Sequence, residues 1–188
     1  MTDRTVAIFI DLDGVCATWK DNEPIESPAW PDSRHIEVQV NRGHGYREVF
    51  PLTYSPTMVS ELREILDDPR VQPVALTTWL ENEIYVKAHR MMGLPPMPGA
   101  RMPARDAKRR LPLGWKHRSL REWLEHNDAV AGVIWIDDQD AASDLPWPRI
   151  VSEALGVTPL LAIAPDESIG ITPEHVVAVR TFIDEVTR

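Results

Sequence analysis

The chain has a single cysteine, Cys16, among 188 residues, so it can form no internal disulfide and no thiolate metal cluster. Any metal it holds must sit on oxygen or histidine ligands, and its six histidines show no metal-ligand spacing. Long apolar runs are missing as well. The longest, such as 130–136 and 160–164, fall far below the roughly 20 residues that cross a bilayer. The opening MTDRTVAIFID has no signal-peptide pattern, and the expectation is a soluble, cytoplasmic protein with no membrane contact and no obligate protein partner. Positive charge is in deficit: 20 Lys and Arg against 29 Asp and Glu leave a net charge of -9, which argues against coating nucleic acid by bulk electrostatics. What is there, 43% hydrophobic and 26% charged residues, is ordinary globular composition, enough for one domain over residues 1–188.

Residues 6–10 form a short β-branched and apolar run that ends in Asp-Leu-Asp-Gly, the pattern of a buried central strand followed by a sharp turn. Residues 72–76 end in Thr77-Thr78, 130–136 in Asp137-Asp138 and 160–164 in Pro165-Asp166, so several strands deliver polar residues at the same end. Helical patterns lie between and after them. Ser55-Pro56 is a cap and first-turn pair ahead of Met58, Leu62, Ile65 and Leu66; Asn82 can cap a helix carrying Ile84, Ala88 and Met91. Leu120, Trp123 and Leu124 make a third stripe, and Thr172-Pro173 starts a helix with Val176, Val179, Ile183 and Val186 inward. This alternation predicts a Rossmann-like α/β fold of three α/β/α layers around a central parallel sheet.

Two stretches interrupt the alternation. Residues 35–52 alternate in hydrophobicity around Asn41-Arg42-Gly43-His44-Gly45, which predicts a small β-hairpin inserted after the first strand, with His44 at its tip as a candidate substrate contact. Residues 93–115 hold five prolines and no periodicity, the mark of a functional or mobile loop. Neither is long enough to be a large cap domain.

In an open parallel sheet, ligands bind beyond the carboxyl ends of the strands, where Asp11, Asp13, Thr77, Thr78, Asp137 and Asp138 converge. Like charges about 4 Å apart repel by about 4 kcal/mol at an effective dielectric near 20. Four carboxylates therefore need a cation, a proton or both, and an oxygen-only donor set suits Mg²⁺ better than zinc.

FIDLDGV, LTT, Lys116 ahead of a helix, and WIDD, in this order over residues 6–140, resemble the four motifs of the haloacid dehalogenase superfamily. WIDD and the later Gly170-Ile171-Thr172 are similar to the small haloacid dehalogenase-like domains associated with RNA repair in bacteria and their phages. The resemblance implies a Mg²⁺-dependent phosphatase that works through an aspartyl-phosphate. In it Asp11 is the nucleophile and Asp13 the acid/base. Asp11, the main-chain carbonyl of Asp13 and the acidic pair hold Mg²⁺, with Asp138 the first choice for direct ligation and Asp137 the second. Thr77 hydrogen-bonds the phosphoryl oxygens and Lys116 neutralises their charge, although Thr78 and Lys108 are alternatives for these two roles.

The absence of a sealing cap admits a phosphorylated small molecule or a nucleic-acid end. Between positions 101 and 121 eight basic residues, Arg105 and Lys108 among them, stand against Asp106 alone. They could bind a polyanionic substrate or form an ordinary solvated surface. Trp19, Trp79 and Trp135 flank the motifs, where core packing is the simplest account. The competing functional reading is a catalytically silent phosphate- or RNA-binding module on the same fold.

Overall fold

The computed structural model describes residues 5–41, 47–104, 114–127, 130–141 and 159–188. Its centre is a four-stranded parallel sheet of β1 (Thr5–Ile10), β6 (Val71–Ala75), β7 (Val130–Ile136) and β8 (Leu160–Ile163), in the spatial order β6-β1-β7-β8. The first strand is central because both of its faces can be buried: Val6, Ile8 and Ile10 alternate with Ala7 and Phe9, and none is more than 1% exposed. On one face they meet Met58, Leu62 and Ile65 of α1 (Pro56–Leu66), Ile84 and Ala88 of α2 (Ile84–Met92), and Val176, Val179 and Ile183 of α4 (Pro173–Val186). On the other they meet Trp115, Leu120 and Leu124 of α3 (Trp115–Glu125), while Trp123 stands edge-on to Phe9 with ring centroids 5.3 Å apart. Helices thus cover both faces, as the alternating pattern predicts.

The register levels the strand ends. Ile10 pairs with Ala75 on one side and Ile136 on the other, and Ile136 pairs with Ile163. Main-chain hydrogen bonds carry this one step further: Asp11 N–H donates to Ile136, Leu76 N–H to Ile10, and Asp137 N–H to Ile163, at 2.9–3.1 Å. The successor strand lies on one side of β1 and the next on the other, so β1 marks the switch point where such sheets open a crevice.

The inserted hairpin is longer than residues 35–52: β4 (Arg34–Asn41) and β5 (Arg47–Tyr54) pair from Arg34–Tyr54 to Asn41–Arg47. Its tip, with His44, lies outside the described residues. A smaller hairpin, β2 (Trp19–Lys20) with β3 (Glu23–Pro24), precedes it. Asp21 and Asn22 turn it at φ 52° and 64°, values that these two residue types tolerate better than most. Among the described residues there is no large cap domain, and no helix is long and apolar enough to cross a membrane.

Three local expectations change. Asn82 does not cap α2, because it lies within a 3₁₀ segment, Thr78–Glu83, that is capped by Thr77 and runs into α2. Met92 rather than Met91 faces the core, since it follows Ile84 and Ala88 at helical spacing while Met91 is 39% exposed. The proline-rich stretch is anchored where it is described: Ala75 N–H donates to Pro98 and Ala100 N–H to Ala75, at 2.9 and 2.8 Å, so this segment covers the outer edge of β6.

Ser55 caps α1 by accepting the Met58 N–H at 3.0 Å, and its hydroxyl donates to Asp32, which also accepts from the Thr57 hydroxyl at 2.9 Å. This knot ties the segment ahead of the hairpin to the helix start. Ser55→Ala is expected to lower stability by about 1–2 kcal/mol in urea unfolding. A midpoint equal to that of the wild type would show that the knot contributes nothing.

Candidate active site

Leaving β1, the chain makes one tight turn in which the N–H groups of Cys16 and Ala17 both donate to the Leu12 carbonyl, at 2.9 and 3.0 Å. The turn needs Gly14. Its φ is +66°, and a Cβ there would stand 2.5 Å from Cγ of Asp138, so a side chain is excluded by conformation and by space. The turn after β1 is thereby packed directly on the turn after β7.

Asp11, Asp137 and Asp138 each offer a carboxylate oxygen within 4.8 Å of the others. Lys116, from the first turn of α3, reaches into this group. Its Nζ donates to Oδ2 of Asp11 and, at 2.6 Å, to Oδ2 of Asp137, with Asp140 at 3.8 Å. The residue is only 5% exposed. Asp11 Oδ1 accepts the Leu12 N–H at 2.6 Å, and Asp137 Oδ1 accepts the N–H groups of Gln139 and Asp140 at 3.1 and 2.7 Å. Both oxygens of Asp137 are therefore engaged within the protein. Asp138 is less buried than Asp137.

The electrostatics follow from three carboxylates against one ammonium. Burial pushes the Asp11 carboxyl well above its ordinary range, with Lys116 pulling it back and Asp137 adding to the rise. Burial works against the Lys116 charge, but Asp11 and Asp137 more than offset this and hold it above the usual lysine range. Asp138 is pushed up to about 6, first by burial and then by Asp137. These carboxyls carry more negative charge than Lys116 balances. Their oxygen-only donor set fits a hard divalent cation such as Mg²⁺, held by Asp11, Asp138 and Asp137.

Asp13 sits at the side of this group, partly buried, and burial raises its pKa. The Trp79 indole N–H donates to its Oδ2 at 2.5 Å, and Trp19 also favours its anion. Of the two threonines, Thr77 is fully buried, accepts the Trp79 N–H at 3.2 Å and acts on Asp11 to lower its pKa, whereas Thr78 is exposed. Lys116 joins the carboxylates; Lys108 and Arg105 lie outside the described residues, as do Arg109 and Arg110. Within the described part of the basic stretch, Arg101 pairs with Glu122 at 2.7 Å and Arg121 with Glu125 at 2.9 Å. Three participants escaped the sequence reading. Asp140 and Gly14 follow motif residues closely, and Trp79 directly follows Thr-Thr, but none of these positions signals its contact by spacing.

Parallel strands with levelled ends, two aspartates after the first, a threonine after the second and an acidic pair after the third define a haloacid dehalogenase fold. A sequence profile described as the HAD domain in Swiss Army Knife RNA repair proteins matches residues 7–176, and the chain belongs to that family. No curated protein and no solved structure matches it.

Removing the Lys116 charge leaves Asp11 and Asp137 buried without their common partner. Lys116→Met is expected to lower stability by about 3–5 kcal/mol in urea without divalent cations, the cost of breaking a buried ion pair. A loss under about 1 kcal/mol would mean that the carboxylates accommodate the change by other means.

Proposed function

We propose that the chain is a Mg²⁺-dependent phosphomonoester hydrolase that acts through an aspartyl-phosphate on Asp11, with a phosphorylated nucleic-acid end as its substrate. The observation that carries this reading is the meeting of Asp11, Lys116, Asp137 and Asp138 at the levelled strand ends. The family's place in RNA repair proteins and the lack of a large cap among the described residues support the choice of substrate.

In the first step a carboxylate oxygen of Asp11 forms a bond to phosphorus as the bond from phosphorus to the leaving oxygen breaks, and Asp13 gives its proton to that oxygen. In the second, water attacks the phosphorus of the aspartyl-phosphate, the now anionic Asp13 takes a proton from it, and inorganic phosphate leaves with Asp11 restored. Attack requires Asp11 as the anion. Lys116 and Thr77 oppose the effect of burial there, and Lys116 faces the charge that develops on the transferring group. Mg²⁺, when bound to Asp11, the Asp13 carbonyl and Asp138, supplies the remaining neutralisation. Asp138 is the better direct ligand because the Asp137 oxygens already serve Lys116 and two main-chain N–H groups. Asp137 then orients Lys116 and the turn. A silent binding module has no comparable support: it needs neither an acid at Asp13 nor a buried lysine on Asp11.

The test is phosphate release from p-nitrophenyl phosphate and from 5′- and 3′-phosphorylated oligoribonucleotides. Release should require Mg²⁺, stop on chelation, and fall to background in Asp11→Asn. Undiminished hydrolysis in chelator, or near wild-type rates in Asp11→Asn, rejects the proposal. Asp138→Asn should fold normally and need more Mg²⁺ for half-maximal rate, because the site loses an anionic ligand. An unaltered requirement transfers direct ligation to Asp137.

A further inference from the structure

We propose that Trp79, backed by Phe50 of the inserted hairpin, is a positioning residue for Asp13 that holds its carboxyl in one orientation. The inference rests on the reading of Asp13 as general acid and base. Its structural basis is local. Thr77 ends the approach to the site, and its hydroxyl oxygen accepts the N–H of Trp79 at 3.2 Å as the chain turns into the 3₁₀ segment. This sets the indole where Nε1 meets Oδ2 of Asp13 at 2.5 Å. Phe50 of β5 packs against the indole, ring centroids 5.2 Å apart at 55°, and leaves Trp79 8% exposed.

An indole N–H only donates. The oxygen it meets is the acceptor, so the bond holds the Asp13 carboxyl in one orientation. Packing alone does not account for the contact. Trp135 also buries its indole nitrogen, and that nitrogen has no hydrogen-bond partner among the described residues, so burial in this protein does not force a tryptophan to find one. The Trp79 indole closes its hydrogen bond on the acid. Trp79 also follows Thr77 by two positions, and the inserted hairpin supplies its backing, so the acid is aligned by elements outside its own turn.

A general acid matters in proportion to how poor the leaving group is. The measurement is kcat/KM for p-nitrophenyl phosphate, whose leaving group needs no proton, and for benzyl phosphate, a ring of similar size whose alkoxide does. This parameter covers the steps up to the first irreversible one, transfer to Asp11, so the later role of Asp13 as base does not blur it. Trp79→Phe keeps an aromatic ring against Phe50 and removes the N–H. It should lower kcat/KM for benzyl phosphate by about tenfold or more and for p-nitrophenyl phosphate by less than about threefold, below the full range of general acid catalysis because Asp13 remains. In an Asp13→Asn background the same substitution should leave the ratio of the two substrates unchanged, as required if the indole acts through that carboxyl. Equal losses on both substrates, no loss, or an additive effect with Asp13→Asn overturns the proposal. Should Trp79→Phe not fold, Phe50→Leu, which keeps the indole and removes its backing, must shift the ratio in the same direction, and an unchanged ratio rejects it. Failure of the wild-type protein to hydrolyse either ester is a different outcome, one that counts against the phosphatase reading itself.

Discussion

A buried ammonium that serves two carboxylates is the constraint around which this molecule is arranged. Lys116 is nearly inaccessible, and its hydrogen bonds to Asp11 and Asp137 join the ends of two adjacent strands to the start of a helix on one face of the sheet. Desolvating such a charge is costly, and only partners held at hydrogen-bonding distance offset the cost. The first turn of α3 therefore has to sit close over β1 and β7. Trp115, Leu120 and Leu124 hold it there by packing on Ala7, Phe9, Val133 and Trp135. The apolar core on that side of the sheet and the polar group at its end are parts of one arrangement, because the helix that buries the first also delivers the lysine of the second.

The same constraint separates the surroundings of the two residues of the acidic pair. Asp137 is wholly inaccessible, with one oxygen on Lys116 and the other on two main-chain N–H groups. Asp138, one residue on, lies in the turn that follows β7, is less buried, and packs against Gly14. Adjacent aspartates thus differ in burial and in partners. The close approach at Gly14 works similarly: a missing methyl group lets the turns after β1 and β7 touch, and three carboxylates come within reach of one cation.

Much of this was legible in the sequence where the signal is local. Continuous β-branched runs mark β1 and β7, Ser55-Pro56 and Thr172-Pro173 mark helix starts with their caps, and the aspartates at strand ends mark the site. Legibility fails where a contact joins distant segments. Nothing in residues 76–79 says that Thr77 turns inward and Thr78 outward, because that depends on the 3₁₀ segment that follows. Lys116 could be preferred to Lys108 only by its place before a helix, since its depth is set by the packing of α3. The Trp79 ring looks like any core aromatic until Asp13, 66 residues earlier, is brought to its nitrogen. The anchored part of the proline-rich stretch escaped for a related reason: its hydrogen bonds go to a strand edge, which leaves no periodicity in the residues that make them.

The position of β1 at the centre of the sheet also sets an order of events during synthesis. This strand is made first, yet its neighbours on either side are Val71–Ala75 and Val130–Ile136, so neither of its edges can be satisfied by the residues that immediately follow it. Until the later strands have left the ribosome, Val-Ala-Ile-Phe-Ile remains an apolar, β-prone segment without its partners. Contacts so far apart in the chain form slowly and leave such segments open to misassociation. A chain arrested before residue 136 would therefore display an apolar strand whose second neighbour is incomplete, the state in which wrong partners compete for its edges.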